Sequence, residues 1–175
     1  VLQYFERTHS HKLTDARRNL TLVSLTYLTL PNFSAGVCSD DAAMAERLEK
    51  YPFLDYAAKN WGCEGDHFAD NFPLEEFHRL ASNPTAVEMT SQAWSLGSAR
   101  YGNWSQEFPR RVPVLVLTAA FSLPGILRQM VLDGHDIEGK GQDGETALIR
   151  AASFGRVGNV RALLDLGAAV EARDY

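Results

Sequence analysis

The 175-residue chain repeats itself towards its C-terminal end. Laid over each other without a gap, so that Pro113 falls on Thr146, the segments 113–142 and 146–175 share seven identical pairs: Leu115/Leu148, Ala119/Ala152, Phe121/Phe154, Gly125/Gly158, Arg128/Arg161, Gly134/Gly167 and Glu138/Glu171. Other pairs swap like for like, among them Val116/Ile149, Met130/Leu163, Ile137/Val170 and Lys140/Arg173. A period in the range of about 20–50 residues constrains a fold tightly. Each unit is one supersecondary element that cannot bury its apolar face alone, so neighbouring units stack and share a continuous core. The stack offers a binding surface rather than a catalytic pocket.

The second unit assigns a structural task to most of its residues. Gly144 permits a turn into a first helix, and Thr146 is placed to cap it. Leu148, Ala151 and Ala152 are expected to face a neighbour, the alanines letting helices approach closely. Gly155 turns the chain, and Val160, Leu163 and Leu164 form the inner stripe of a second helix. Gly167 is expected to take the left-handed stop, with Val170 pointing back into the core.

This pattern resembles the ankyrin repeat, whose usual core reads G-x-T-P-L-H-x-A-A-x-x-G followed by V-x-L-L-L-x-x-G-A. Ala147 stands where the family has Pro, Ile149 and Arg156 at two His positions, and Asn159 where Val is common. The first unit is more degenerate. Pro113-Val114 replaces Thr-Pro and Pro124-Gly125 opens its second helix, which suits a capping unit with one neighbour.

Ahead of the repeats the chain reads as short helices. Leu13, Ala16, Leu20, Val23, Tyr27 and Leu30 fall at spacings of three and four, predicting a helix over 13–30 that buries this face and stops at Pro31. Ser39, followed by Asp40-Asp41, predicts an N-cap and a helix to about Lys50. Pro52 opens a third, with Phe53, Ala57 and Trp61 aligned and Gly62 as its stop. Pro73 opens a fourth with Leu74, Phe77 and Leu80 on one face, and a fifth runs from about Thr85 to Leu96. A loop follows, with Gly102 and Pro109 breaking the period. The predicted organisation is all-α: a helical linker domain over 1–104, then repeats over 105–175, with 113–142 the degenerate first unit and 143–175 the second. The aromatics Trp61, Trp94, Trp104, Tyr51, Phe53 and Tyr56 are expected to form the core of the first half.

The strings LTYLTLPNFSAGVCSDD, YPFLDYAAKNWG and YGNWSQEF resemble the helical segment that joins the nucleotide-binding module of fungal NACHT-type signalling NTPases to C-terminal ankyrin repeats. That resemblance implies a parent protein that oligomerises under nucleotide control, with the repeats as its sensor. The chain itself has no G-x-x-x-x-G-K-[ST] loop. It opens on Val and closes at the end of a unit, which predicts a piece of a longer protein.

Composition narrows the chemistry. A net charge of −5 and a pI of about 5.5 argue against non-specific attraction to nucleic acid or anionic lipid. No apolar run is long enough to span a membrane, and no signal-peptide core precedes the first helix. Two isolated cysteines, Cys38 and Cys63, make neither a disulfide framework nor a zinc site and fit a reducing cytoplasm. Three Asn-x-Ser/Thr triplets, at Asn19, Asn32 and Asn103, have nothing to route them to glycosylation. Gly139-Lys-Gly141-Gln-Asp-Gly144 spells G-x-G-x-x-G, but a dinucleotide site needs a buried strand before it, and VLDGHDIE is polar and broken by Gly134. No cofactor is expected.

The sequence therefore predicts a non-enzymatic module that binds a protein partner. Its contacts are expected from Lys140, Gln142, Asp143, Glu145 and Arg173, which are polar, lie at turns and do not serve the core pattern. Two alternatives stand beside it: a small hydrolase or metal-dependent enzyme built on Cys63 and His67, and a fragment without independent function. Convergence of catalytic side chains at hydrogen-bond reach would mark the enzyme.

Overall fold

The computed structural model describes residues 10–63, 71–97 and 102–174. Among them every regular element is helical, as the periodicity predicts: nine α-helices and one 3-10 turn. Helix α1 (Ser10–Leu28) ends ahead of Pro31, which lacks an N–H and opens the 3-10 turn Pro31–Phe33. It packs on a face rotated from the one predicted: Tyr27 and Leu30 of the predicted set do lie against the core. Thr21, Ser24, Leu25 and Leu28 are buried, whereas Leu20 and Val23 are 40% and 52% exposed. Apolar spacing alone misplaces the centre of this face because the small hydroxyl residues let α1 lie against α3 (Leu54–Asn60) and α4 (Leu74–Ala81).

Helix α2 (Asp41–Lys50) is capped by Asp40, whose carboxylate accepts from the Ala43 N–H at 2.8 Å. The predicted cap, Ser39, sits one residue early and donates its hydroxyl to Asp40 at 2.9 Å. An ionised acceptor is the stronger partner for an unpaired helix-end N–H, so the carboxylate takes the position. That bond holds the Asp40 carboxyl below the usual range. Helix α5 (Pro84–Trp94) follows α4 after Asn83, which caps it by accepting from the Ala86 N–H at 3.2 Å.

The stretch around residue 105 is pinned by buried amide chemistry. The fully buried Gln92 accepts from the Cys38 N–H at 2.8 Å and donates to the carbonyls of Cys38 and Ser105 at 3.0 and 2.9 Å. Ser105 in turn donates its N–H and hydroxyl to the Asp41 carboxylate, at 2.9 and 2.7 Å. One residue along α5 from Gln92, Ser91 donates to the Pro109 carbonyl at 2.9 Å. The helix thus threads the loop before α2 to the loop leading into the repeats.

Packing crosses the same point. Trp61 is fully buried, with its ring centroid 4.5 Å from that of Phe121 and 5.8 Å from that of Phe77. Gly62 stands where a stop was expected, yet its role is a close approach: a Cβ there would lie 2.6 Å from the Phe121 ring. The positive-φ backbone of a helix stop falls instead on other glycines. One apolar cluster runs from Leu25 through Leu115 and Phe121 to Ala168. Of the predicted core aromatics, Trp61 is enclosed, Tyr51, Phe53, Trp94 and Trp104 are partly covered, and Tyr56 lies exposed against Phe53.

The repeat resolves into two helix-turn-helix units. Helices α6 (Val114–Ala119) and α7 (Pro124–Leu132) form the first, and α8 (Ala147–Ser153) and α9 (Val157–Asp165) the second. Both helix starts recur at the interval of the sequence repeat, Val114 falling on Ala147 and Pro124 on Val157. So does the closing turn: Gly134 and Gly167 take φ of 95° and 92°, and the N–H groups of His135 and Ala168 return to the carbonyls of Met130 and Leu163 at 3.0 Å. Thr146 caps α8 as expected, accepting from the Ile149 N–H at 3.3 Å. Val170 does not point into the core; it is 73% exposed.

Gly62→Val should force the Phe121 ring aside and cost about 1–3 kcal/mol, as overpacking does. Gly125→Ala is the control: a Cβ there meets nothing within 4 Å, so stability should hold or rise slightly. Thermal melts of both variants measure this. Equal stability of Gly62→Val and the parent would mean that the two halves do not press together at Phe121.

Candidate functional site

Lys140, Gln142, Asp143 and Glu145 lie on the turn between the units and Arg173 at the equivalent position after the second unit; the five divide into two groups. Lys140, Gln142 and Arg173 are exposed. The Lys140 ammonium donates to the Arg173 carbonyl at 3.1 Å, joining two residues at equivalent repeat positions. The Gln142 N–H donates to the Arg110 carbonyl at 3.1 Å, which fixes the turn and leaves its side chain outward. Beside it an open cleft of about 440 Å³ is lined by Glu107, Phe108, Pro109, Arg110, Gln142 and Asp143.

Asp143 and Glu145 have structural work. Asp143 accepts from the Glu145 N–H at 3.2 Å, closing the turn. The Glu145 carboxylate lies 2.7 Å from an Arg150 terminal nitrogen, with Asp143 at 4.0 Å from the same atom. Both partners of the closer pair are withdrawn from solvent, the side chain of Arg150 being 5% exposed and that of Glu145 15%. Burial pushes the Glu145 carboxyl above its ordinary range, while the Arg150 guanidinium pulls it back down. Arg150 also lies over the Trp94 ring, 5.3 Å from its centroid, and Trp94 meets Phe154 at 5.2 Å. The base of the turn is thereby fastened to the end of α5.

Sequence reasoning missed Arg150, and its signal was present: a lone cation on the small-residue helix ALIRAAS, five positions after an acid. In the sequence Asn159 and Arg156 stand out only as departures from the ankyrin pattern. They make the joint between the units. The buried Asn159 accepts from the Leu123 N–H at 3.1 Å and donates to the carbonyls of Ala119, at 3.0 Å, and Phe121. Arg156 donates to the Ala120 carbonyl at 2.7 Å. An amide carries both donors and an acceptor, which a Val cannot supply to the turn between α6 and α7.

The glycines of the G-x-G-x-x-G string lie in the inter-unit turn after α7, where the Gly141 N–H donates to the Glu145 carbonyl at 3.2 Å. Cys63 is exposed, and its thiol donates to the Lys59 carbonyl at 3.3 Å. His67, the partner expected for Cys63, lies outside the described residues. Among the described residues no group of three or more His, Cys, Asp or Glu side chains is arranged to hold a metal ion. No described helix is long and apolar enough to cross a membrane. Compared with known proteins, the chain matches no family model and no curated protein.

Alanine substitutions should sort the five residues. Glu145→Ala strands a buried guanidinium and should cost about 3 kcal/mol in a denaturant melt. Lys140→Ala, Gln142→Ala and Arg173→Ala should each stay within about 0.5 kcal/mol of the parent. A neutral Glu145→Ala would show that Arg150 is not held as described.

Proposed function

We propose that this chain is a non-enzymatic protein-interaction module of the ankyrin-repeat type, which takes a protein partner on the exposed surface formed by Lys140 and Gln142 of the inter-unit turn and by Arg173 after the second unit. The observation that carries this reading is the strict recurrence, at one fixed interval, of two helix pairs and their left-handed glycine stops. Stacks of this kind fix their fold with inward residues and leave turn side chains free to vary with the ligand. The exposed cation–amide set suits a polar or acidic protein surface, and Glu145 with Arg150 holds the turn in one shape before binding.

By the same reasoning the chain is the linker-plus-repeat portion of a NACHT-type NTPase that works in the cytoplasm and oligomerises in its parent form. Support comes from the resembling strings themselves, since Trp61 of YPFLDYAAKNWG packs on Phe121 of the first unit. A linker so joined to the stack would feel strain imposed on the repeats.

A photo-crosslinking amino acid at Gln142, compared with one at the exposed Arg161 on α9, tests the binding surface in cells that express the protein. Covalent adducts with a discrete protein should form from position 142 and not from 161. Equal adducts from both positions, or none from 142, would contradict the proposal.

A further inference from the structure

The far side of the second unit carries an apolar groove of about 270 Å³, lined by Leu148, Ile149, Ala152, Val160, Leu164, Ala169, Val170 and Ala172. Moved back by one repeat, the five side chains from its helices fall on Leu115, Val116, Ala119, Leu127 and Val131. The first four of these are buried, and Val131 packs against the core. Val170 moves to Ile137, which is likewise packed against the core cluster, although Val170 itself is 73% exposed. The same kind of surface is thus covered in one unit and bare in the next.

The polar rim repeats as well. In the first unit Arg128 meets Asp165 of the second at 2.6 Å, and the Glu138 carboxylate accepts from the Ala169 N–H at 2.7 Å. Their identical counterparts, Arg161 and Glu171, are exposed beside the groove. Lys140, which donates to the Arg173 carbonyl, has Arg173 itself as its counterpart. These positions explain much of the internal identity. Leu148, Ala152, Arg161 and Glu171 all belong to the face that looks away from the first unit.

We infer that this groove is a docking face for one further helix-turn-helix unit of the same kind. The occupant would present small residues as Ala147 and Ala151 do, an acid opposite Arg161, a backbone N–H opposite Glu171 and a buried amide equivalent to Asn159. The inference rests on the repeat reading above and continues an interface already present between α6 and α8. A second copy of this chain cannot supply the same fit by stacking head to tail, because its first unit is already covered by Trp61 and Gly62 at Phe121.

The test is a chain in which residues 143–175 are duplicated immediately after position 175, which keeps the repeat register. The melting temperature should rise by about 5 °C or more as a single transition, and binding of a hydrophobic dye should fall several-fold. Arg161→Asp should remove most of the gain, and changing the added unit's counterpart of Asp165 to Arg should restore it. A separate second transition, an unchanged melting temperature, or insensitivity to Arg161→Asp would overturn the inference. So would a parent protein that is a dimer in light scattering and becomes a monomer with Val170→Asp, since a second copy would then own the groove. Crosslinking from Gln142 in the duplicated chain reads partner binding separately, so a failure of stacking and a failure of the interaction reading are distinguishable.

Discussion

The packing of Phe121 against Trp61 and Gly62 is the contact on which the rest of the structure depends. Phe121 sits on the turn between α6 and α7, and its backbone is simultaneously gripped by Asn159 from the second unit. One short segment, 119–123, therefore receives the first half through its side chains and the second unit through its carbonyls and an N–H. Side-chain packing on one side and hydrogen bonds on the other leave it little freedom to choose another conformation. Glycine at 62 is required because any larger residue would separate the two surfaces.

From that joint the stability of the chain runs in one direction. The first half has a large enclosed core and the Gln92 network, whereas the second unit has neighbours on one side. Its outer residues Leu164 and Val170 remain exposed and contribute little burial. In a stack each unit is stabilised chiefly by its nearest neighbours, so order should weaken with distance from Trp61. The Glu145–Arg150 pair counters this locally by tying the second unit's turn to Trp94.

The repeat was legible in the sequence because its glycines and small residues are dictated by backbone geometry. Gly134, Gly144, Gly155 and Gly167 all adopt positive φ, a conformation that restricts the choice of residue. Helix existence was legible for the same kind of reason, through proline starts and the cap at Thr146, although Asp40 rather than Ser39 caps α2 and the Asn83 cap went unread. The buried face of α1 was legible only in part: Tyr27 packs on the core as its spacing implies, but Thr21 and Ser24 are buried for their size, and an apolar count gives them no weight. Gly62 reads as a stop because its neighbour in space, Phe121, lies far along the chain. Of the expected contact residues, exposure at Lys140, Gln142 and Arg173 followed from their place at turns. The burial of Glu145 depends on Arg150, whose side chain has no apparent task until α8 and α5 are seen together.

A unit stacked on one side only should open before the unit beneath it. Native-state amide hydrogen exchange, read helix by helix, measures that order directly. In a one-sided stack α6 amides exchange only with global unfolding, while those of α9 exchange through a smaller opening that leaves α5 and α6 protected. Protection in α9 equal to that in α6, or release of α6 together with α9 while α5 stays closed, would contradict it.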